Sequence, residues 1–201
     1  MQTTCLFPHN CTLHDLQEFN NATYRAVNLR NFETADMACR LFRFIARVLF
    51  HVRSEATEKS GYHLCMALSW LLAIANRLDL KLKEEIPLHC SVSTSPETTL
   101  AELQRIFSDR HRDTALEKAS LCVAQKAMGI ASALEYFRET HRDDYFVALS
   151  KKVAETFEAI CVLAGLLGIE LHNELLIHFA RGCCKCKGTP CSCGFRDDRV
   201  V

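Results

Sequence analysis

Apolar residues recur along this chain at helical spacing. Between Ala35 and Arg53, Met37, Leu41, Phe42, Ile45, Val48, Leu49 and Val52 fill one broad face of a helix, with Thr34 placed to cap it. Leu13, Leu16, Phe19 and Tyr24 mark a sparser helix from Leu13 to about Leu29, with Thr12 at its N-cap. The same periodicity predicts helices over Tyr62–Leu78, Leu100–Phe107 and Thr114–Thr140, and a short element that starts at Asp79 and ends before Pro87. Gly129 sits inside the long one, where it costs ~1 kcal/mol relative to Ala. Asn28–Asn31, Ser54–Gly61, Ser108–Asp113 and His141–Asp144 break the pattern as turns, and residues 1–12 form a loose lead-in. No stretch alternates as a strand does and none carries a hairpin signal, so the fold class is all-α.

The remaining long run, Lys151–Phe179, reads as a helix with one pause at Gly168. It has a fainter copy 89 residues earlier: Ala75 falls on Ala164, Leu78 on Leu167 and Leu82 on Leu171. Glu85 then falls on Glu174 and His89 on His178, polar matches that helix periodicity does not demand. A repeat of this length predicts two related helical units. Cys90–Thr99, rich in Ser and Thr and holding Pro96, is the natural linker. The expected organisation is an N-terminal helical unit over 1–90, a linker over 91–99, a second unit over 100–181 and a cysteine knuckle over 182–194.

Composition narrows the classes. The formal net charge is zero, which argues against a general nucleic-acid binder, and the 49% apolar content of the 201 residues is that of a globular protein. The longest nearly apolar run, Leu64–Ala75, is too short for a bilayer, which takes ~20 residues. The first residues lack the basic and apolar regions of a secretory signal, so the expected location is the cytoplasm, with no membrane partner. Twelve cysteines in a reducing compartment point to thiols or metal ligation. Cys39, Cys65, Cys122 and Cys161 lie in apolar helical stretches and read as small buried hydrophobes.

The tail is different. Cys183 and Cys186 form a C-x2-C pair, and Cys191 and Cys193 a C-x-C pair, with Gly188 and Pro190 turning the chain between them. Four thiolates at this spacing suit a tetrahedral, structural Zn2+, with Cys184 left over. A metal-free redox cluster is the alternative. His172 and His178, on the approach to the tail, are further candidate ligands that also read as ordinary helix-end histidines.

Trp70-Leu71-Leu72-Ala73-Ile74-Ala75-Asn76-Arg77-Leu78-Asp79-Leu80-Lys81-Leu82 resembles a helix of the MazG-like, all-α nucleoside triphosphate pyrophosphohydrolases. Leu163–Leu171 is similar to the same segment, and the G-C-x-x-C-x4-C-x-C tail resembles one that some MazG-like proteins carry after it. The resemblance implies a MazG-like helical bundle, a nucleotide ligand, and a homodimer or an intrachain pseudo-dimer. It also implies Mg2+ held by E-E-x-x-E on one helix and E-x-x-D on the next, because helical spacing sets hard carboxylate oxygens on one face. Those motifs fall here on Gln125–Gly129 and on Lys152–Glu155, and only Glu155 is acidic; in the first unit Arg43–Arg47 and His63–Met66 hold no carboxylate. The nearest carboxylates are Glu155 with Glu158, and Glu135 with Glu139 on the preceding helix: candidates for a displaced Mg2+ site, or charges on solvated faces. Lys126 and Lys152 are candidate phosphate contacts. The sequence therefore predicts a member of this family that is impaired or inactive and binds a nucleotide or a protein partner. The alternatives are an active Mg2+-dependent hydrolase with rearranged carboxylates, and a helical scaffold presenting a zinc-binding or redox cysteine cluster.

Overall fold

The computed structural model describes Phe7 and residues 10–193. Most of the expected lead-in (1–6, 8 and 9) and Gly194 of the expected knuckle lie outside the described residues. Those residues contain eight α-helices and no strand: α1 (Leu13–Asn31), α2 (Thr34–Arg53), α3 (Ser60–Arg77), α4 (Leu82–Cys90), α5 (Leu100–Arg110), α6 (Leu116–Thr140), α7 (Asp143–Leu166) and α8 (Leu171–Phe179).

Helices α2 and α3 form one antiparallel hairpin and α6 and α7 another; the two pack together through α2 on α6 and α3 on α7. Against α3 lie α1 and α8; against α7 lie α5 and α4. The core runs continuously through this arrangement, with Trp70, Leu71, Ile74, Phe107, Phe157 and Ile160 shut off from solvent. Helix α3 is buried on all sides from Ser60 to Ala75 except at Tyr62, which explains its nearly continuous apolar run from Leu64.

Comparable contacts occur in both halves. Helices α3 and α7 end 89 residues apart, and α4 and α8 begin and end 89 apart. Asp79 and Gly168, again 89 apart, turn the chain in the left-handed region at φ 57° and 68°. Thr12 with Asp15 and Thr99 with Glu102 each make a reciprocal capping box at the start of α1 and α5. The two caps face each other across an isolated bridge, and the Leu100 N–H donates to Cys11 O at 2.8 Å. Deeper in, Gln17 Nε2 donates to Leu80 O (2.6 Å) while its Oε1 accepts from Leu82 N–H (3.0 Å). Gln104 makes the same pair of bonds with Ile169 O (2.6 Å) and Leu171 N–H (3.0 Å). Each glutamine thus ties its helix to the loop before α4 or α8. The short helices then cross over: Glu85 and His89 of α4 meet Ser150 on α7, and Glu174 of α8 lies where Gly61 leaves room on α3.

The structure moves several boundaries. Helix α1 continues through the expected turn at Asn28–Asn31, because Val27 and Asn28 are buried and tertiary packing outweighs the weak helix propensity of asparagine. Glu33, not Thr34, caps α2, in a capping box with Asp36. Helix α4 starts at Leu82 and runs through Pro87 to Cys90; in so short a helix the ring forfeits only one bond, to the solvent-exposed Lys83. The run Lys151–Phe179 is two helices, α7 and α8, bent by 97° at Gly168. No single helix among the described residues is long and apolar enough to cross a membrane. Cys65 and Cys161 are buried as expected, and burial pushes both thiols up, so they behave as protonated hydrophobes. Cys39 is exposed and Cys122 half-buried, because α2 and α6 each turn those positions away from the core.

Candidate metal centre and the α6–α7 face

The tail begins where α8 ends. Gly182 takes φ 104° and leaves no room for a Cβ, which would stand 2.7 Å from Gly188 O. The chain then folds back on itself: Cys183 N–H donates to Gly188 O (3.1 Å) and Lys187 N–H to Cys183 O (2.8 Å). This turn gathers Cys183, Cys186, Cys191 and Cys193 so that their sulfurs all lie within 4.8 Å of one another. The separations are 3.4 Å for Cys183–Cys191, 3.8 Å for Cys186–Cys191 and 4.0 Å for Cys183–Cys193. Zn–S bonds of ~2.3 Å at tetrahedral angles put sulfurs roughly 3.8 Å apart. The quartet therefore has the size that a zinc ion needs.

Burial raises the Cys191 and Cys193 thiols, whereas hydrogen bonds hold the other two down. The Cys183 thiol is held down at about 3, first by the side chain of Cys184, against the cost of burial, and then by the backbone N–H groups of Cys186 and Lys185. At Cys186 burial raises the thiol, but the side-chain and backbone hydrogen bonds of Ser192 and the Gly188 backbone bring it to about 7; Ser192 N–H stands 3.4 Å from the sulfur. N–H groups aimed at thiolates are the environment that metal-ligating sulfur favours. Cys183 and Cys191 are buried and Cys186 is exposed, so the quartet forms a half-sunk knuckle.

The knuckle is clasped to the first helix. Cys191 N–H donates to Thr23 O at 2.8 Å, and Cys184 N–H reaches the Tyr24 hydroxyl at 3.3 Å. Tyr24 is 1% exposed and its ring meets Phe179 edge-on at 6.4 Å. Sequence spacing identifies the sulfurs but not this anchor, since Tyr24 and Cys184 lie 160 residues apart. His172 and His178 do not join the quartet: His178 pairs with Glu174 at 3.4 Å, and the His172 ring lies tilted by 50° against Phe7 at 5.8 Å.

On the α6–α7 face, Glu155 is held by three lysines. Lys126 Nζ stands 3.0 Å from Glu155 Oε2, with Lys152 at 3.7 Å and Lys151 at 4.0 Å. Burial raises the Glu155 carboxyl, but the hydrogen bond and charge of Lys126, followed by Lys152 and Lys151, leave it below its ordinary value. Gly129 lets the Lys152 stem cross α6; an added Cβ would stand 3.3 Å from Lys152 Cδ. Glu158, one turn on, pairs with His111 (3.3 Å) and Arg110 (3.5 Å), and Glu135 is exposed on α6. Glu155, Glu158 and Glu135 are thus not brought together. Among the described residues the cysteine quartet is the only set of three or more His, Cys, Asp or Glu side chains that converges tightly enough for a metal, which lends no support to Mg2+. Lys126 and Lys152, the candidate phosphate contacts, both lie within 4 Å of Glu155.

The corresponding face of α2 and α3 holds His51 and His63, stacked at 5.0 Å with 4° between the ring planes. Both Nδ1 atoms are buried without a hydrogen-bond partner. Burial first, then the charges of His51, Arg47 and Lys59, lower His63 to about 4, so it is neutral. No protein-family model matches the chain, and it has no significant match among curated proteins or solved structures.

Proposed function

We propose that this chain is a catalytically inactive protein of MazG-like architecture, two helical units joined as an intrachain pseudo-dimer, which works by binding and takes zinc as its structural metal. The observation that carries the reading is Lys126 Nζ at 3.0 Å from Glu155. An ammonium group stands where a MazG-like hydrolase would need a second carboxylate, and it neutralises the acid that is left. Hydrolysis of a triphosphate by this mechanism needs clustered cations to offset the phosphate charge and to activate water. Lysines around a single carboxylate provide neither a cation site nor a base.

The matched caps, glutamine bridges and crossed short helices support the two-unit reading, because polar contacts repeated at offsets of 87 residues in the first helix and 89 beyond it are not demanded by burial alone. At the tail, Cys183, Cys186, Cys191 and Cys193 would hold the zinc. When bound it supplies a cross-link and no open position, since four thiolates close the coordination sphere. The residues around it do the rest: Tyr24 and Thr23 seat the knuckle on α1, and Gly182 permits its turn.

The test is pyrophosphate release from a panel of nucleoside triphosphates with Mg2+ or Mn2+. The expected result is no turnover above buffer for the natural protein and for Glu155→Ala alike. Robust turnover that Glu155→Ala abolishes would overturn the proposal.

A further inference from the structure

Beside α1 lies an open cleft of about 510 Å3, bounded by α1, the end of α3, and the turn into α4. Its size is that of a small-molecule site. Arg25, Arg77 and Lys83 line it, and none of the three has a hydrogen-bond or ion-pair partner among the described residues. Glu18 and Asp79 are the opposing carboxylates. Asn28 also lines it; this side chain is 5% exposed, and its Oδ1 is buried and accepts no hydrogen bond. A dehydrated acceptor left open is rare in a folded chain and calls for a donor.

The floor is a network of amides. Gln17 Nε2 donates to Asn76 Oδ1 (3.0 Å), Asn76 Nδ2 to Gln17 O (3.2 Å), and Asn20 Nδ2 to Ser69 O (3.0 Å). The other half of the chain serves as an internal control for whether folding needs this polarity. Gln104 repeats the backbone bonds of Gln17, but Phe107 stands 87 residues after Asn20, and Gly165 stands 89 after Asn76. Arg77 and Lys83 are likewise matched by Leu166 and His172. There Phe107 replaces one amide, and Gly165 packs against Ser108 in place of the other. The amides beside α1, and Arg77 with them, therefore exceed what the junction requires.

We infer that the cleft binds a small phosphomonoester that also carries hydroxyl or amino donors, the chemistry shared by nucleotides and sugar phosphates. Arg25, Arg77 and Lys83 take the phosphate, for which the guanidinium fork is suited. The Asn28 carbonyl accepts from a hydroxyl or amino group of the ligand. This inference goes beyond the binding role proposed above and stands on the cleft alone, whatever the outcome of the pyrophosphate assay.

Calorimetric titration of the full chain with AMP, CMP and ribose 5-phosphate, beside adenosine, ribose and inorganic phosphate, tests it. The expected result is a Kd on the order of 10–100 µM for at least one ester. Its dephosphorylated partner and inorganic phosphate should each bind at least about tenfold more weakly, about 1.4 kcal/mol. Arg25→Gln with Arg77→Gln, both at exposed positions, should cost about tenfold or more, and Asn28→Ala should weaken the ester but not inorganic phosphate. Arg105→Gln, outside the cleft, should change nothing. Binding of the nucleotides alone identifies a nucleotide site; equal binding of ribose 5-phosphate identifies a sugar-phosphate site. No binding of any ester at about 5 mM, binding unchanged by the paired arginine substitutions, or inorganic phosphate binding as tightly as the esters would overturn the inference.

Discussion

Gln104→Ala tests most directly how this fold is tied together. The side chain is 9% exposed and closes two bonds at once, donating to Ile169 O at 2.6 Å and accepting from Leu171 N–H at 3.0 Å. Each bond contributes about 1 kcal/mol net, and an unpaired buried N–H adds about 1–3 kcal/mol. Leu171 is fully buried, so its N–H cannot turn to water, whereas the half-exposed Ile169 leaves its carbonyl closer to solvent. Together the loss is about 2–4 kcal/mol, a large part of the ~5–15 kcal/mol that stabilises a domain. At this chain length each kcal/mol lowers Tm by about 2–4 °C. Urea titration followed by helical circular dichroism should show a lower midpoint with an unchanged slope. Gln104→Glu keeps the acceptor for Leu171 but turns a carboxylate oxygen towards Ile169 O, and it should be at least as damaging at neutral pH. A loss below about 0.5 kcal/mol for Gln104→Ala, the range of an ordinary surface change, would refute the bridging role.

Two further outcomes follow from packing and charge. His63 titrates at about 4 in the folded chain against 6.5 ordinarily, so between those values the unfolded chain binds a proton that the folded chain does not. Stability is therefore full above pH 6.5 and falls as pH drops towards 4, by on the order of 3 kcal/mol, and His63→Gln should flatten that slope in urea titrations run across the window. Gly165→Ala places a methyl 2.7 Å from Ser108 Cβ where α5 crosses α7. It should cost about 1–3 kcal/mol, and Ser108→Gly in the same chain should recover most of it, as read by Tm.

The sequence shows the all-α class, the helix positions and the four sulfurs because each depends on short-range spacing. A helix face needs only its own residues, and the quartet spans eleven residues closed by Gly182 and Gly188. Boundaries shift where a distant contact decides: Asn28 stays helical because it is buried, and α4 passes Pro87 because it docks on α7. The α6–α7 face is legible as a loss of carboxylates but not as an ion pair, since Lys126 meets Glu155 across 29 residues. The cleft leaves the weakest trace, because α1, α3 and α4 each contribute a few polar residues that look like solvated surface. Only the comparison of Asn20 and Asn76 with Phe107 and Gly165 marks them out, and it requires the repeat to be aligned first.

Metal analysis of untagged, chelator-free protein tests the central claim, that the metal centre of this chain is the thiolate knuckle and not the α6–α7 face. The account predicts about one zinc per chain, retained in Glu155→Ala and lost when Cys183→Ser and Cys191→Ser are combined. Less than about half an equivalent of zinc in the natural protein, or zinc that persists without those two sulfurs, would contradict it.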